Sequence, residues 1–61
     1  MKFIYTEYIK CGAMYKPVKT HEMELTGDYE TAFAVLGYKK RGDGEWFMRT
    51  AWNMCEEIKF K

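Results

Sequence analysis

The sequence has no long apolar run, which excludes the protein classes that need one. No stretch of 18 consecutive apolar residues occurs, so no segment is predicted to span a membrane. The first ten residues include Thr6, Glu7 and Lys10, and these polar side chains interrupt any apolar core of a secretory signal. We therefore expect a cytoplasmic protein with no membrane partner, in which free Cys11 and Cys55 are favoured over a disulfide.

An excess of charge of one sign is also missing. Ten Lys and Arg residues oppose nine Asp and Glu residues, and the formal net charge at pH 7 is +1. This balance excludes a strongly acidic mimic of nucleic acid. It also gives no support to a protein that holds duplex DNA mainly through phosphate contacts, because such a protein would need many more cations.

The common signatures of catalysis and of metal or cofactor binding are absent. His21 is the only histidine, no Cys-x-x-Cys spacing occurs, and the five glycines form neither a G-x-G-x-x-G nor a P-loop pattern. We therefore predict no enzyme, no metal and no cofactor. The enzyme or zinc alternative requires the fold to bring Cys11, His21 and Cys55 together.

Aromatic residues are what the chain has in surplus, with five Tyr, four Phe and two Trp among 61 residues. A chain of this length forms one domain, residues 1–61, and buries only about 60% of the surface of its unfolded state. Small chains often need a staple or a second subunit. The surplus indicates apolar surface that is left for a partner.

Two strands are predicted in the first half. In Lys2–Lys10 the residues Phe3, Tyr5 and Glu7 alternate with Ile4, Thr6, Tyr8 and Lys10, and Val18–Leu25 alternates in the same way. Gly12 and Pro17 bracket a predicted loop between these strands, which we expect to be antiparallel.

A short helix is predicted next. Tyr29, Ala32, Phe33 and Leu36 have the spacing of one helix face. Thr26 and Asp28 are N-cap candidates, and Gly37 can end the helix in the left-handed conformation.

The Asp43-Gly44 pair indicates a competing hairpin between strands at Ala34–Arg41 and Glu45–Trp52, which would make the chain all-β. Apolar residues then recur at even positions: Trp46, Met48, Trp52, Met54, Ile58 and Phe60. This period favours one bent strand or two strands broken near Asn53, although a helix also fits this segment. The predicted fold is α+β, in the order β-β-α-β with a fourth strand as an option. It has an antiparallel sheet of three to four strands, one short helix on one face, and an open face that carries aromatic residues.

The function hypothesis is a small non-enzymatic protein that modulates or inhibits a larger protein. Its predicted partner-binding residues are Tyr8, Tyr15, Trp46 and Trp52, with Lys40 and Arg41 at the rim. An edge strand could also pair with a second copy to form a homodimer. In length and style the chain resembles small bacteriophage or mobile-element proteins, which would make the partner a host protein.

The alternative hypothesis is a single-stranded RNA- or DNA-binding module. Cations next to stackable rings are typical of such modules. The residues concerned are Tyr38, Lys39, Lys40, Arg41, Trp46 and Arg49.

Overall fold

The computed structural model describes all 61 residues, Met1–Lys61, as one antiparallel sheet of five strands with one helix. The strands are β1 (Lys2–Cys11), β2 (Met14–Glu24), β3 (Lys39–Gly42), β4 (Glu45–Ala51) and β5 (Met54–Phe60), and the helix is α1 (Tyr29–Leu36). In space the strands lie in the order β2-β1-β5-β4-β3. The sheet therefore has β2 and β3 as its edges and β5 in the middle.

The predicted fold class, an α+β domain with three to four strands, is wrong. Strands take 64% of the residues, and the sheet has five of them. The helix and the Asp43-Gly44 hairpin, which the sequence presents as alternatives, both form. The strand β3 is four residues long and consists mostly of cations, so it gives no period-two signal. Gly44 supplies the positive φ of 73° that the hairpin turn needs.

The loop predicted between Gly12 and Pro17 is also much shorter than expected. Cys11 pairs with Met14, so only two residues connect β1 to β2, and Gly12 has a φ of 64° in this turn. Pro17 lies inside β2, which is an edge strand, and the β1–β2 register shifts between Glu7 and Tyr8, opposite this region. Edge strands and bulges are the places where a sheet tolerates proline.

The predicted helix and its two caps are confirmed, with Asp28 rather than Thr26 as the N-cap. The Asp28 carboxylate accepts a hydrogen bond from the Thr31 backbone N–H at 3.1 Å. The Thr31 side chain, which also donates to this carboxylate, is the main cause that lowers the pKa of Asp28. Gly37 ends the helix with a φ of 101°.

The core lies between α1 and one end of the sheet. Its buried residues are Phe3, Phe33, Trp46 and Ile58, and the residues packed against them are Tyr5, Met23, Leu25, Tyr29 and Tyr38. Between ring centroids, Phe33 of the helix lies 4.9 Å from Trp46 on β4 and 5.3 Å from Phe3 on β1, so the helix packs across these strands. An eight-residue helix can cover only part of a sheet with ten-residue strands.

The two long hairpins extend beyond the helix. Segments 8–17 and 49–55 lie outside the aromatic cluster below α1, with Cys55 as their only buried residue, and we call these segments the uncovered end. The molecule is accordingly elongated, with extents of 38 × 19 × 17 Å. No helix in the structure has the length and apolar character needed to cross a membrane.

Candidate partner-binding site

The face of the sheet opposite α1 has no helix on it, and we call it the open face. Since side chains alternate along a strand, the neighbours of the core residues point to this face. Tyr8 lies opposite Cys55 in the β1–β5 register, and Phe47 lies opposite Glu57 in the β4–β5 register. The aromatic residues expected on an open face are therefore present there, but they are Tyr8, Tyr15 and Phe47 rather than a tryptophan.

A shallow pocket of about 310 Å³ lies in the open face, and we call it the open-face pocket. It is lined by Tyr8, Tyr15, Arg41, Phe47, Arg49, Cys55 and Glu57. Every strand of the sheet contributes at least one of these residues. The pocket therefore depends on the complete five-stranded sheet, because no single hairpin carries its lining.

Glu57 forms the floor of the pocket and is held from three sides. Its side chain is only 12% exposed. It accepts hydrogen bonds from the Tyr8 hydroxyl at 3.2 Å and from the Arg41 guanidinium, and the Lys59 ammonium lies 3.7 Å away. Burial, followed by the nearby Glu57 charge, raises the pKa of Tyr8 and keeps its hydroxyl protonated as a donor.

The two arginines of the pocket have different surroundings. The Arg41 guanidinium pairs with Glu57 and Glu45 and lies 5.2 Å from the centroid of the Phe47 ring, which is a cation–π distance. Arg49 takes part in none of the six ion pairs of the structure. Its Nη1 donates only to the backbone oxygen of Trp52, at 3.5 Å.

The residues of the enzyme or zinc alternative are not brought together. Cys55 is buried in the open-face pocket, whereas His21 stacks on Tyr5 on the helix side, with 4.7 Å between the ring centroids. Cys11 is exposed at the hairpin turn, and both thiols are free. Burial raises the pKa of the Cys55 thiol, although the charge of Arg49 acts in the opposite direction. The raised pKa makes Cys55 a poorer nucleophile. No three His, Cys, Asp or Glu side chains are arranged to hold a metal ion.

The residues predicted to bind a protein partner divide into two groups. Tyr8, Tyr15 and Arg41 line the open-face pocket together, and Trp52 is 79% exposed in the β4–β5 turn. Trp46 is only 3% exposed because it fills the core below α1, so its indole is not available to a partner.

Lys40 belongs with Trp46 in this second group. It lies opposite Trp46 in the β3–β4 register, on the helix side, and pairs with Glu30 of the helix at 3.2 Å. It therefore does not lie on the rim of the open-face pocket.

The basic and aromatic residues of the nucleic-acid alternative are separated as well. Arg41 and Arg49 are on the open face, and so is Lys39, which lies opposite Phe47. Tyr38 packs against the core on the helix side, and its hydroxyl donates to Glu56 at 2.5 Å. With Trp46 buried and Lys40 paired on the helix side, these six residues do not form one continuous surface.

Phe47, Cys55 and Glu57 were missed as pocket residues. The signal that could have found them is the period-two pattern itself. If Trp46 and Ile58 face the core, then Phe47 and Glu57 must face the other way.

A second polar cluster lies on the helix side and was also not predicted. Glu7 and Glu56 are directly opposite each other in the β1–β5 register, a position where like charges repel. The Tyr5 hydroxyl donates to Glu7 at 3.3 Å, and Tyr38 donates to Glu56. Burial is the main cause that raises the pKa of Tyr5 to about 12, and the charges of Glu56 and Glu7 add to it. These tyrosines therefore act as donors that offset the carboxylate repulsion.

Comparison with known proteins gives no relative for this chain. No family model matches it, and no curated protein and no solved structure is similar enough to count as a match.

Proposed function

We propose that this chain is a small non-enzymatic binding protein that modulates a larger protein by docking through its open face. The observation that supports the proposal is the open-face pocket, whose floor is fixed by the buried Glu57 network while its aromatic walls remain accessible. A preorganised site loses less conformational entropy on binding, so a small domain can hold a partner with few contacts.

The surroundings of the pocket have the composition of an interface. Tyr15 is 40% exposed in the pocket wall, and Met14 and Trp52 are exposed on the uncovered end. Aromatic residues and Met are enriched in protein interfaces because they bury a large area or adapt their shape. Trp and Tyr are also the residues that most often dominate the binding energy.

Homodimer formation is part of the same proposal and concerns the outer edge of β2. This strand has 11 residues, lies at the edge of the sheet, and exposes Val18. Residues 19–24, beyond Pro17 and the register shift, form the uninterrupted part of this edge and can pair with the same strand of a second copy. Sedimentation equilibrium over a range of protein concentrations measures whether they do.

The proposed function is tested by capture of proteins from a bacterial lysate with the tagged full chain, before and after nuclease treatment. The variants are Tyr15→Ser in the pocket wall and, as a control, Val35→Ser on α1. Val35 is 80% exposed and lies on the helix, on the opposite side of the sheet from the pocket. We expect the wild type and Val35→Ser to retain one stoichiometric protein after nuclease treatment, and Tyr15→Ser to lose it. Circular dichroism checks that both variants are folded.

Two results contradict the proposal. Equal retention by Tyr15→Ser and Val35→Ser means that the open face does not make the contact. Loss of all captured material after nuclease treatment favours the nucleic-acid alternative.

A further inference from the structure

Arg49 is the cation of the open-face pocket that has no acidic partner. Arg41 forms ion pairs with Glu57 and Glu45, and Lys59 forms ion pairs with the same two carboxylates. Arg49 has only one long hydrogen bond, to the backbone oxygen of Trp52. A guanidinium has five N–H donors, so most of its hydrogen-bonding capacity is free for a ligand.

The other walls of the pocket set the second requirement for a ligand. Tyr8, Tyr15 and Phe47 present ring surface, so the complementary group is aromatic or aliphatic. The volume of about 310 Å³ is at the small end of the range of roughly 300–1,000 Å³ for small-molecule sites. The pocket therefore has room for one or two side chains, with a negative group placed against Arg49.

We propose that the open-face pocket takes an acidic side chain and an adjacent aromatic side chain from an exposed segment of the protein partner. The Arg49 guanidinium binds the carboxylate, and the ring lies against Tyr8, Tyr15 and Phe47. This inference rests on the proposed function, because it names the chemistry of the segment that docks on the open face.

Charge complementarity favours an acidic peptide over a nucleic-acid strand. A strand carries a phosphate on every nucleotide and is held by a groove with several free cations. In and beside the open-face pocket, Arg41 and Lys59 are neutralised by Glu57 and Glu45. Lys39, opposite Phe47, and Lys10, opposite Tyr15, also lie on the open face without an acidic partner, but they do not line the pocket. One free guanidinium beside three rings suits one carboxylate with an apolar neighbour.

The test uses the nitrogen-15-labelled full chain and two blocked pentapeptides, Gly-Phe-Glu-Phe-Gly and Gly-Phe-Gln-Phe-Gly, with oligothymidylate as a third probe. Backbone amide shifts locate each probe and give its affinity. The variants are Arg49→Gln, Arg49→Lys and, as a matched control, Lys19→Gln. Lys19 takes part in none of the six ion pairs and lies on the helix side of the edge strand β2, opposite Glu7, where it does not line the open-face pocket.

We expect the Glu peptide to shift the amides around Tyr8, Tyr15 and Arg49, and to bind about fivefold more tightly than the Gln peptide. A fivefold ratio is what about 1 kcal/mol gives, the upper value for an exposed ion pair. The ratio should fall to about one in Arg49→Gln, and it should persist in Lys19→Gln and in part in Arg49→Lys.

Equal affinity of the two peptides, or no binding of either, overturns the inference. The proposed function survives these results if Tyr15→Ser still loses the captured partner, so the two failures can be told apart. Tighter binding of oligothymidylate at the same amides, abolished by Arg49→Gln, assigns the pocket to nucleic acid instead.

Discussion

The hydroxyl of Tyr8 on β1 donates a hydrogen bond to Oε1 of Glu57 on β5 across 3.2 Å, and this contact joins the wall of the open-face pocket to its floor. The second carboxylate oxygen of Glu57 accepts from Arg41 on β3. One buried acid therefore connects three strands, including β3, which is not its neighbour in the sheet. Neutralising this acid would remove the charge that pairs with Arg41 and leave one carbonyl oxygen as the strong acceptor for the two donors.

The first prediction concerns the stability of this network. Glu57→Gln should lower the free energy of unfolding by about 1–3 kcal/mol, because the polar groups around a largely buried charge lose a strong acceptor. Glu22→Gln is the matched control, since Glu22 pairs with Lys61 at the exposed surface, and its effect should stay within about 0.5 kcal/mol. Urea unfolding followed by circular dichroism measures both. Losses of equal size would show that the Glu57 network does not stabilise the sheet.

The second prediction separates the two tryptophans. Trp46 is 3% exposed and Trp52 is 79% exposed. Trp46→Ala should lower the free energy of unfolding by about 3–5 kcal/mol. This is a large part of the total, since a folded domain of 61 residues is expected to have a free energy of unfolding of roughly 3–9 kcal/mol. Trp52→Ala should change stability by less than about 0.5 kcal/mol and weaken partner capture.

Fluorescence tests the same assignment independently. In Trp52→Ala the remaining emission should be blue-shifted and resist quenching by iodide, because the indole of Trp46 is shielded from water. Strong quenching in this variant would place Trp46 at the surface and contradict the observed core.

The sequence predicted those parts of the fold that have a local signal. The helix followed from the spacing of Tyr29, Ala32, Phe33 and Leu36. Tyr29 and Phe33 pack in the core as this spacing predicts, but Leu36 is 65% exposed. Alternation also assigned the two faces of β1. The strand β3 could not be found in this way, because it is held by its pairing with β4 and the sequence shows no alternation there.

The candidate site was predicted only in part, for a different reason. Tyr8, Tyr15 and Arg41 belong to three different strands, and only the order β2-β1-β5-β4-β3 brings them to one pocket. From the sequence alone, a tryptophan that packs in a core cannot be distinguished from one that lies in an interface. Trp46 was therefore assigned to a partner although α1 covers it.

The third prediction concerns the turn between β3 and β4. Gly44 has a φ of 73°, and a Cβ at this position would lie 2.5 Å from the Phe60 ring. Gly12 has a similar φ of 64°, but a Cβ there would meet nothing within 4 Å. Gly12→Ala should therefore lower the free energy of unfolding by about 1–2 kcal/mol, through backbone strain alone. Gly44→Ala should lower it by about 1–3 kcal/mol more, because the added methyl group also overpacks against Phe60.

Thermal unfolding of the two glycine variants measures this difference. Because both substitutions introduce the same strained backbone conformation, the gap between them reports the contact with Phe60. Equal losses would mean that this ring moves aside freely.

The fourth prediction is a loss of stability at alkaline pH. Burial and the charges of Glu56 and Glu7 raise the pKa of Tyr5 from 10.0 to about 12, and the pKa of Tyr38 is raised as well. Since the folded state prefers the protonated phenol, its contribution to stability is complete below about pH 10 and is lost as the pH rises toward 12. The free energy of unfolding, measured in urea at successive pH values, should fall over this interval.

The variant Tyr5→Phe assigns part of this loss to one hydroxyl. It lacks the ionisable group, so its stability should fall less steeply between about pH 10 and 12 than that of the wild type, with Tyr38 and Tyr8 responsible for the remaining slope. Its phenolate absorbance should also lack one step near pH 12. An unchanged slope together with a lost step near pH 10 would show that Tyr5 ionises as it does in water, without any effect of burial or of the Glu7–Glu56 pair.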